Sequence, residues 1–321
     1  MDKVKKNLLF IFCLFFSSLY AINNEKVENS KKIAYLVSDL RIPFWEIMSR
    51  GIKTKAKELG YKIEIYSANN IKKKELENTF KAISSKVDGL IISPINSSTA
   101  STILDFAKNE NIPVVISDIG ADEGEYVSFI SSDNEEGGYK IGKVLTKRMY
   151  ELNMEDGSVG IVGIPQKRTN GKLRTKGFLK ALAEDGIKSA GIYQQVDFSY
   201  EETYDFTKKL IDENKDIKAI WLQGSDRYKG ALDAIKKSKK EILLLCFDAE
   251  PIFLDLIPKG ILVGSAMQQP YLMGQKAVSL LDKHLNKKVV EREIKLSILA
   301  ISKDNIEEKL PIIKRNVLGI E

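Results

Sequence analysis

Acidic, amide and hydroxyl side chains recur in one kind of place in this sequence, directly after short apolar runs. They are Ser38-Asp39, Ser93-Pro94, Asp118, Gln223-Gly224-Ser225-Asp226, Asp248 and Gln268-Gln269. Such side chains offer paired donor and acceptor capacity, the complement of a polyhydroxylated ligand. Ser and Asp are also favoured helix N-caps, and capping is the expected role of Ser38, Ser97 and Ser225. Reaction chemistry has little to draw on. The single histidine, His284, falls late in a Lys-rich helical stretch, so neither a Ser-His-Asp arrangement nor a His-rich metal site can be assembled. The sequence has no phosphate-binding loop, no nucleophile elbow and no Gly-x-Gly-x-x-Gly after its first strand. Gly157, Gly160 and Gly163 bracket a strand and do not open a helix. The expectation is a binding protein without enzyme activity, cofactor or metal.

The elements that position these residues follow from hydrophobic periodicity. Ile33–Val37 reads as a buried strand, and Phe44–Leu59 as a helix stopped by Gly60. The unit repeats as strand Lys62–Tyr66 and helix Lys72–Ser85, strand Gly89–Ser93 and helix Ser97–Asn109, then strand Pro113–Ser117. After a Gly- and acid-rich loop at Gly120–Glu125 come strand Val127–Ser131 and a helix from Glu135. A second series runs through strands Val159–Ile164, Ile192–Val196, Ala219–Gln223 and Ile242–Phe247, with helices at Leu173–Glu184, Glu201–Asn214 and Tyr228–Ser238. Two successive βα series predict an α/β protein of two similar doubly wound parallel-sheet lobes. In such sheets ligands sit beyond the carboxyl ends of the strands, where the polar residues named above fall.

A chain of 321 residues is long for one core and natural for two. Its net charge of +6 is spread along Lys-rich helical stretches without an Arg cluster, which reads as a solvated surface and not as a nucleic-acid footprint. Residues 1–21 have the pattern of a secretory signal: a basic start, the apolar run Leu8–Tyr20 and the small residue Ala21. Cys13 lies inside that run, preceded by Phe10, Ile11 and Phe12, which does not suit lipid attachment. Once the signal is removed Cys246 is the only cysteine, so no internal disulfide is expected and Cys246 reads as a buried strand residue.

The segment Ser38-Asp39-Leu40-Arg41-Ile42-Pro43-Phe44-Trp45 resembles the opening of the ribose-binding-protein family of periplasmic binding proteins, with its polar residue, Pro and two aromatics after the first strand. Asp88–Pro94 and Ile112–Asp118 resemble that family's third and fourth strands, and Ser132-Asp133-Asn134 with Gly137-Gly138 its domain crossing. Arg174-Thr175-Lys176-Gly177-Phe178 resembles its arginine-bearing helix, and Cys246-Phe247-Asp248 its ninth strand. The family is related in fold to the ligand domain of lac-repressor-type regulators, but the first strand begins too soon after Ala21 to leave room for a DNA-binding module.

The resemblance implies a type I periplasmic binding protein with a three-segment hinge. The N-terminal lobe would comprise 31–132 plus about 269–296, and the C-terminal lobe 133–268 plus about 297–321. It implies ligand contacts from Phe44, Trp45, Ser93, Asp118, Arg174, Phe198, Asp248 and Gln268: aromatic rings on sugar faces, Asp118 and Asp248 accepting from hydroxyls, and Arg174 donating. It also implies a monomer in the periplasm that hands a sugar or sugar-like solute to an ABC permease. The alternative partner is a sensor kinase or chemoreceptor. Three positions depart from the family pattern. Ile42 replaces a ligand-binding Asn, Ile119 an Arg that follows the fourth-strand Asp, and Gly224 another Asn. Asp226 and Arg41 are the nearby candidates to compensate, and the departures argue against ribose itself.

Overall fold

The computed structural model describes residues 30–320. The expected signal peptide at 1–21 and Cys13 lie outside these residues.

Two six-stranded sheets form two α/β lobes. The first contains β1 (Lys32–Val37), β2 (Lys62–Ser67), β3 (Gly89–Ser93), β4 (Val114–Ser117), β5 (Ser128–Ser132) and β11 (Glu293–Leu296), in the order β11-β5-β4-β3-β1-β2 and parallel throughout. The second contains β6 (Ser158–Gly163), β7 (Lys188–Gln194), β8 (Ile217–Leu222), β9 (Leu243–Phe247), β10 (Gly264–Met267) and β12 (Leu299–Ser302), in the order β12-β10-β9-β8-β6-β7. Only β12 in that sheet runs antiparallel to its neighbour. The orders correspond strand for strand, so β4 and β9 occupy equivalent places.

Central strands are apolar on both faces because helices cover both. Ile33, Tyr35, Val37, Ile91 and Val115 pack on one side of the first sheet with Met48 and Ile52 of α1 (Pro43–Glu58) and with Met273 and Ala277 of α9 (Pro270–Leu285). The alternate residues Ala34, Leu36, Leu90, Ile92 and Ile116 pack on the other, against Ala82 of α2 (Lys72–Ser84) and Ile103 and Leu104 of α3 (Ser97–Asn109). That period of two is the strand pleat expressed in burial. Pro43 starts α1 at the one helical position that tolerates it.

In the second lobe, α4 (Asn134–Glu151) and α5 (Thr169–Glu184) lie on the face that buries Trp221, Phe178 and Phe247. The opposite face is covered from α6 (Tyr200–Glu213), α7 (Tyr228–Ser238) and the short α8 (Phe253–Leu256) by Leu210, Ile235 and Phe253. In both lobes helix backbones touch through glycines, and in the second Gly230 of α7 also lies against the Tyr200 carbonyl of α6. A methyl group at Gly51 of α1 would collide with the Tyr271 carbonyl of α9, and one at Gly274 with the Met48 carbonyl. In the second lobe the same holds for Gly138 against the Arg174 carbonyl and Gly177 against the Glu135 carbonyl.

Among the described residues the chain passes between the sheets at three points, between β5 and α4, between β10 and α9, and between β11 and β12. The chain ends in α10 (Ile306–Ile312) and a π-helical turn, Ile313–Leu318. Ile313, Val317 and Leu318 are buried with Leu244 and Ile301 of the second sheet. Arg50 of α1 donates to the carbonyls of Leu318 (2.8 Å) and Gly319 (3.0 Å), so the tail holds both lobes.

Several local expectations need correction. Ser97 does not cap α3; Asn96 does, in a capping box with Thr99. Ser225 donates to Glu250 Oε1 at 2.9 Å, and the Ser38 hydroxyl is buried without a partner, so neither caps a helix. The helix expected from Leu173 starts at Thr169, because the polar first turn Thr169–Lys172 carries no apolar period. The seventh strand runs from Lys188, ahead of the expected Ile192, and its weak Lys-Ser-Ala-Gly start belongs to an exposed edge.

Candidate functional site

Loops at the carboxyl ends of the two sheets face each other across the gap between the lobes. Asp118 follows β4 and Asp248 follows β9, and both have left-handed backbone, with φ of 72° and 68°. Each N–H donates to the next strand, Asp118 to the Ile130 carbonyl at 2.9 Å and Asp248 to the Ala266 carbonyl at 2.8 Å. Non-glycine residues rarely adopt this conformation, which costs roughly 1–2 kcal/mol and concentrates at functional sites. Phe198, after β7, shares this conformation at 54°, as do Asn69 and Asn70 after β2. The Phe198 N–H donates to Glu202 Oε2 at 2.8 Å, and its carbonyl accepts from Arg227 Nε at 2.8 Å.

Arg174 is the buried hub of the second lobe. Its Nε donates to Asn134 Oδ1 at 2.8 Å and one terminal nitrogen to the Gln223 carbonyl at 3.1 Å, while its guanidinium stacks 3.8 Å from the Phe247 ring centre. Asp248 lies 3.8 Å from it and accepts from Gln268 Nε2 at 2.6 Å. Burial pushes the carboxyl of Asp118 up to about 6, against the pull of Arg174, with Asp248 raising it further. The indole N–H of Trp45 lies near enough to favour the charged form of Asp118 but falls short of hydrogen-bond geometry. Burial likewise raises Asp248, opposed by Arg174 and the Gln268 amide.

Phe44 meets Trp45 edge-on, with centroids 6.2 Å apart, at the first turn of α1. Trp45 is buried and Phe44 half-buried. Phe198 lies under Arg168, whose guanidinium is 5.5 Å from the ring centre. Ser93 departs from expectation. It is wholly buried, and its hydroxyl is engaged by Tyr35 at 2.9 Å and by Met48 Sδ at 3.4 Å, so it props the core under the site and does not face the gap. Arg41 does not compensate for Ile42, because Asp39 holds it through two bonds of 2.8 and 2.6 Å. Ile119 is buried in the first-lobe core. Asp226 remains close to the site, with its pKa raised by burial and by Asp248, and with Arg227 3.4 Å away.

A cavity of about 1250 Å³ opens between the lobes, walled by Asp118, Ile119, Ser132, Asn134 and Arg168 among others. Of the eight expected contact residues only Asp118 is on its wall. The cavity meets the buried polar group around Arg174 and Asp248 at Asp118 and at Asn134, which lines the cavity and accepts from Arg174. Buried polar atoms without a partner in the chain collect in the same region: Trp45 Nε1, Asp118 Oδ1, Ser132 Oγ and Gln268 Oε1. Leaving such groups unmet costs about 1–3 kcal/mol each. No hydrogen bond or ion pair among the described residues joins the first lobe's strand-end loops (38–45, 93–98, 118–125) to those of the second (164–174, 195–199, 223–227, 248–250).

Sequence reasoning missed Arg168 altogether; it placed Gln223 among the strand-end polar residues without naming it a contact, and took Asn134 only as part of the domain crossing. Arg168 follows β6, so its topological place was the available signal. Gln223 is fully buried; its Nε2 donates to Thr175 Oγ1 at 2.6 Å, and its Oε1 accepts from the Ile164 N–H at 3.2 Å.

Two matching lobes with opposed acids and an unlatched gap define a two-lobed ligand-binding protein. The chain belongs to the family described as the periplasmic binding protein domain, whose profile matches residues 33–288. It is 31% identical to a ribose import binding protein of Haemophilus influenzae over 271 residues, 84% of this chain and 91% of that protein. It is 30% identical to the Bacillus subtilis ribose import binding protein over 262 residues, 82% of this chain and 84% of that one. In fold it resembles a carbohydrate transporter solute-binding protein of Agrobacterium radiobacter in complex with D-arabinose, with a TM-score of 0.81 and 22% identity, covering 90% of this chain and 99% of that one.

Proposed function

We propose that this chain is a periplasmic solute-binding protein that takes a small neutral sugar between its lobes and presents it to an ABC permease. The observation that carries the proposal is the pair of opposed carboxylates, Asp118 and Asp248, each in left-handed backbone at the same place in its lobe. Family membership and two ribose-import relatives support the transport role. Neutrality is supported by the site's charges. Arg174 and Arg168 act electrostatically on Asp118 and Arg174 on Asp248, Arg227 lies beside Asp226, and Glu250, held by Ser225, adds a further acid to the group, which leaves no surplus of positive charge to receive an acidic ligand. A charged ligand would unbalance this group in a low-dielectric setting, whereas hydroxyls can donate to the carboxylates and accept from the guanidiniums.

Phe44, Trp45 and Phe198 supply faces for the C–H-rich sides of a sugar ring. Arg174, Asp248 and Gln268 supply polar contacts from the second lobe and its crossing. With no direct bonds between opposing loops, the ligand itself is the cross-link that favours the closed arrangement. The lobes divide at Ser132/Asp133, Gln268/Gln269 and Leu296/Ser297, and the protein acts as a monomer.

The test is a thermal-shift screen of the mature chain against pentoses, hexoses, sugar alcohols and sugar acids. A ligand at 100 times its Kd stabilises the fold by about 2.7 kcal/mol. A shift with a neutral sugar and none with its acid supports the proposal; a shift with acids alone refutes it.

A further inference from the structure

Arg168 has an unusual setting for a half-buried cation. It occupies the N-cap position of α5 but makes no side-chain cap bond. Among the described residues its guanidinium has no acid within ion-pair distance and no hydrogen-bond acceptor; it rests over Phe198, 5.5 Å from the ring centre. It lines the same cavity as Asp118, whose Oδ1 is also without a partner. Asp118 and Arg168 act on each other electrostatically across the gap, and the cations acting on Asp118 both belong to the second lobe. Burial and the neighbouring Arg174 push the pKa of Arg168 down, so the charge is held at a cost with no protein acceptor in return. The ring lies within cation–π range of the guanidinium, whose N–H donors meet no acceptor among the described residues.

We propose that Arg168 is a ligand-contacting, specificity-determining residue that donates from the second lobe to two adjacent oxygens of the sugar, one of them on a hydroxyl that donates to Asp118 of the first lobe. This deepens the assignment of the gap as a sugar site and rests on it. A guanidinium presents parallel donors in a rigid fork, so it selects ligands with oxygens on neighbouring carbons. The chain would then reject a sugar lacking either hydroxyl, because removal leaves a buried donor or acceptor unmet.

The experiment is a double-mutant cycle between protein and ligand, read by isothermal calorimetry. The probe is whichever of D-ribose, D-xylose, D-arabinose and D-allose binds most tightly, together with its monodeoxy analogues. Arg168→Gln, Arg168→Lys and Asp118→Asn are compared with the parent, and unliganded melting curves report folding. Arg168→Gln is expected to weaken the parent sugar at least tenfold, and to bind two neighbouring monodeoxy analogues within about twofold of the parent protein's values. Arg168→Lys, which keeps the charge and loses the fork, is expected to lose the same discrimination. Additive losses for every analogue would overturn the contact, as would an Arg168→Gln variant with unchanged affinity. If Asp118→Asn weakens binding and Arg168→Gln does not, only this inference fails. If neither does, or if none of the four sugars binds, the sugar-site assignment fails and takes this inference with it.

Discussion

Replacing Asp118 with Asn separates two properties that usually fall together, stability and binding. Burial raises the Asp118 carboxyl from 3.8 to about 6. A raised acid binds its proton more tightly in the folded state, so its contribution is fully present below about pH 4 and is lost as pH rises through about 6. At about 1.4 kcal/mol per unit, the ionised group lowers the stability of the unliganded protein at pH 8 by about 3 kcal/mol. Asn has nearly the same shape, tolerates left-handed backbone as Asp does, and carries no charge. Asp118→Asn is therefore expected to be the more stable protein at pH 8 by up to about 3 kcal/mol, with the difference shrinking towards zero by pH 4. Urea unfolding of both proteins without ligand at pH 4, 6 and 8 measures this directly. In the same variant the charge-assisted bond to a ligand hydroxyl is lost, worth about 1.5–3 kcal/mol or ten- to over a hundredfold in affinity. A stability difference that does not change with pH, or an Asn variant less stable at pH 8, would show that the folded state does not hold a costly charge at this position.

Other expectations follow from the same geometry. Sugar hydroxyls donating to Asp118 favour its ionised form, so binding near pH 6 should release a fraction of a proton and binding at pH 8 none; calorimetry in buffers of different ionisation enthalpy reads the difference. Asp248→Ala should cut affinity at least tenfold in the same titrations and leave the far-ultraviolet circular dichroism unchanged. Arg174→Ala should cut affinity similarly but also lower the melting temperature, since it strands Asn134 Oδ1 and Asp248 in the interior. Gly274→Ala should destabilise the unliganded protein by about 1–3 kcal/mol in urea, because the added methyl meets a backbone carbonyl that cannot move alone.

The repeating strands and helices were legible because each central strand is a continuous apolar run between helices with a clear 3.6-residue period. Gly89–Ser93, Ser97–Asn109 and Tyr228–Ser238 fall at the bounds expected of them. Legibility failed where a segment is held by tertiary pairing alone. The strands Gly264–Met267 and Glu293–Leu296 open on Gly-Ser or alternate with charge and so lack the continuous apolar run of the equally short Val114–Ser117, while Leu299–Ser302 stands outside the βα repeat. In the site, residue type and topological place pointed to Asp118 and Asp248, and the family resemblance to Arg174; the fold brings the three into one electrostatic group. They could not reveal that the Ser93 hydroxyl turns inward to Tyr35, since a strand-end residue can face either way. Arg168 sits in a stretch whose neighbours Lys167 and Thr169 are exposed, and its half-burial depends on Phe198, thirty positions on.

The glycine contacts between α1 and α9, and between α4 and α5, bear on how such a chain diversifies. They tie the stiff parts of each lobe backbone to backbone, so no side chain in the gap is needed to keep those helices in place. Ile42, Ile119 and Gly224 all lie at the ends of this frame, in the loops that cap the sheets. Exchanges at such tips alter what is gripped while the two halves that do the gripping keep their shape. A lineage with this architecture is free to acquire a new solute by a few substitutions at the rim, and the partner that recognises the outer surface meets the same body afterwards.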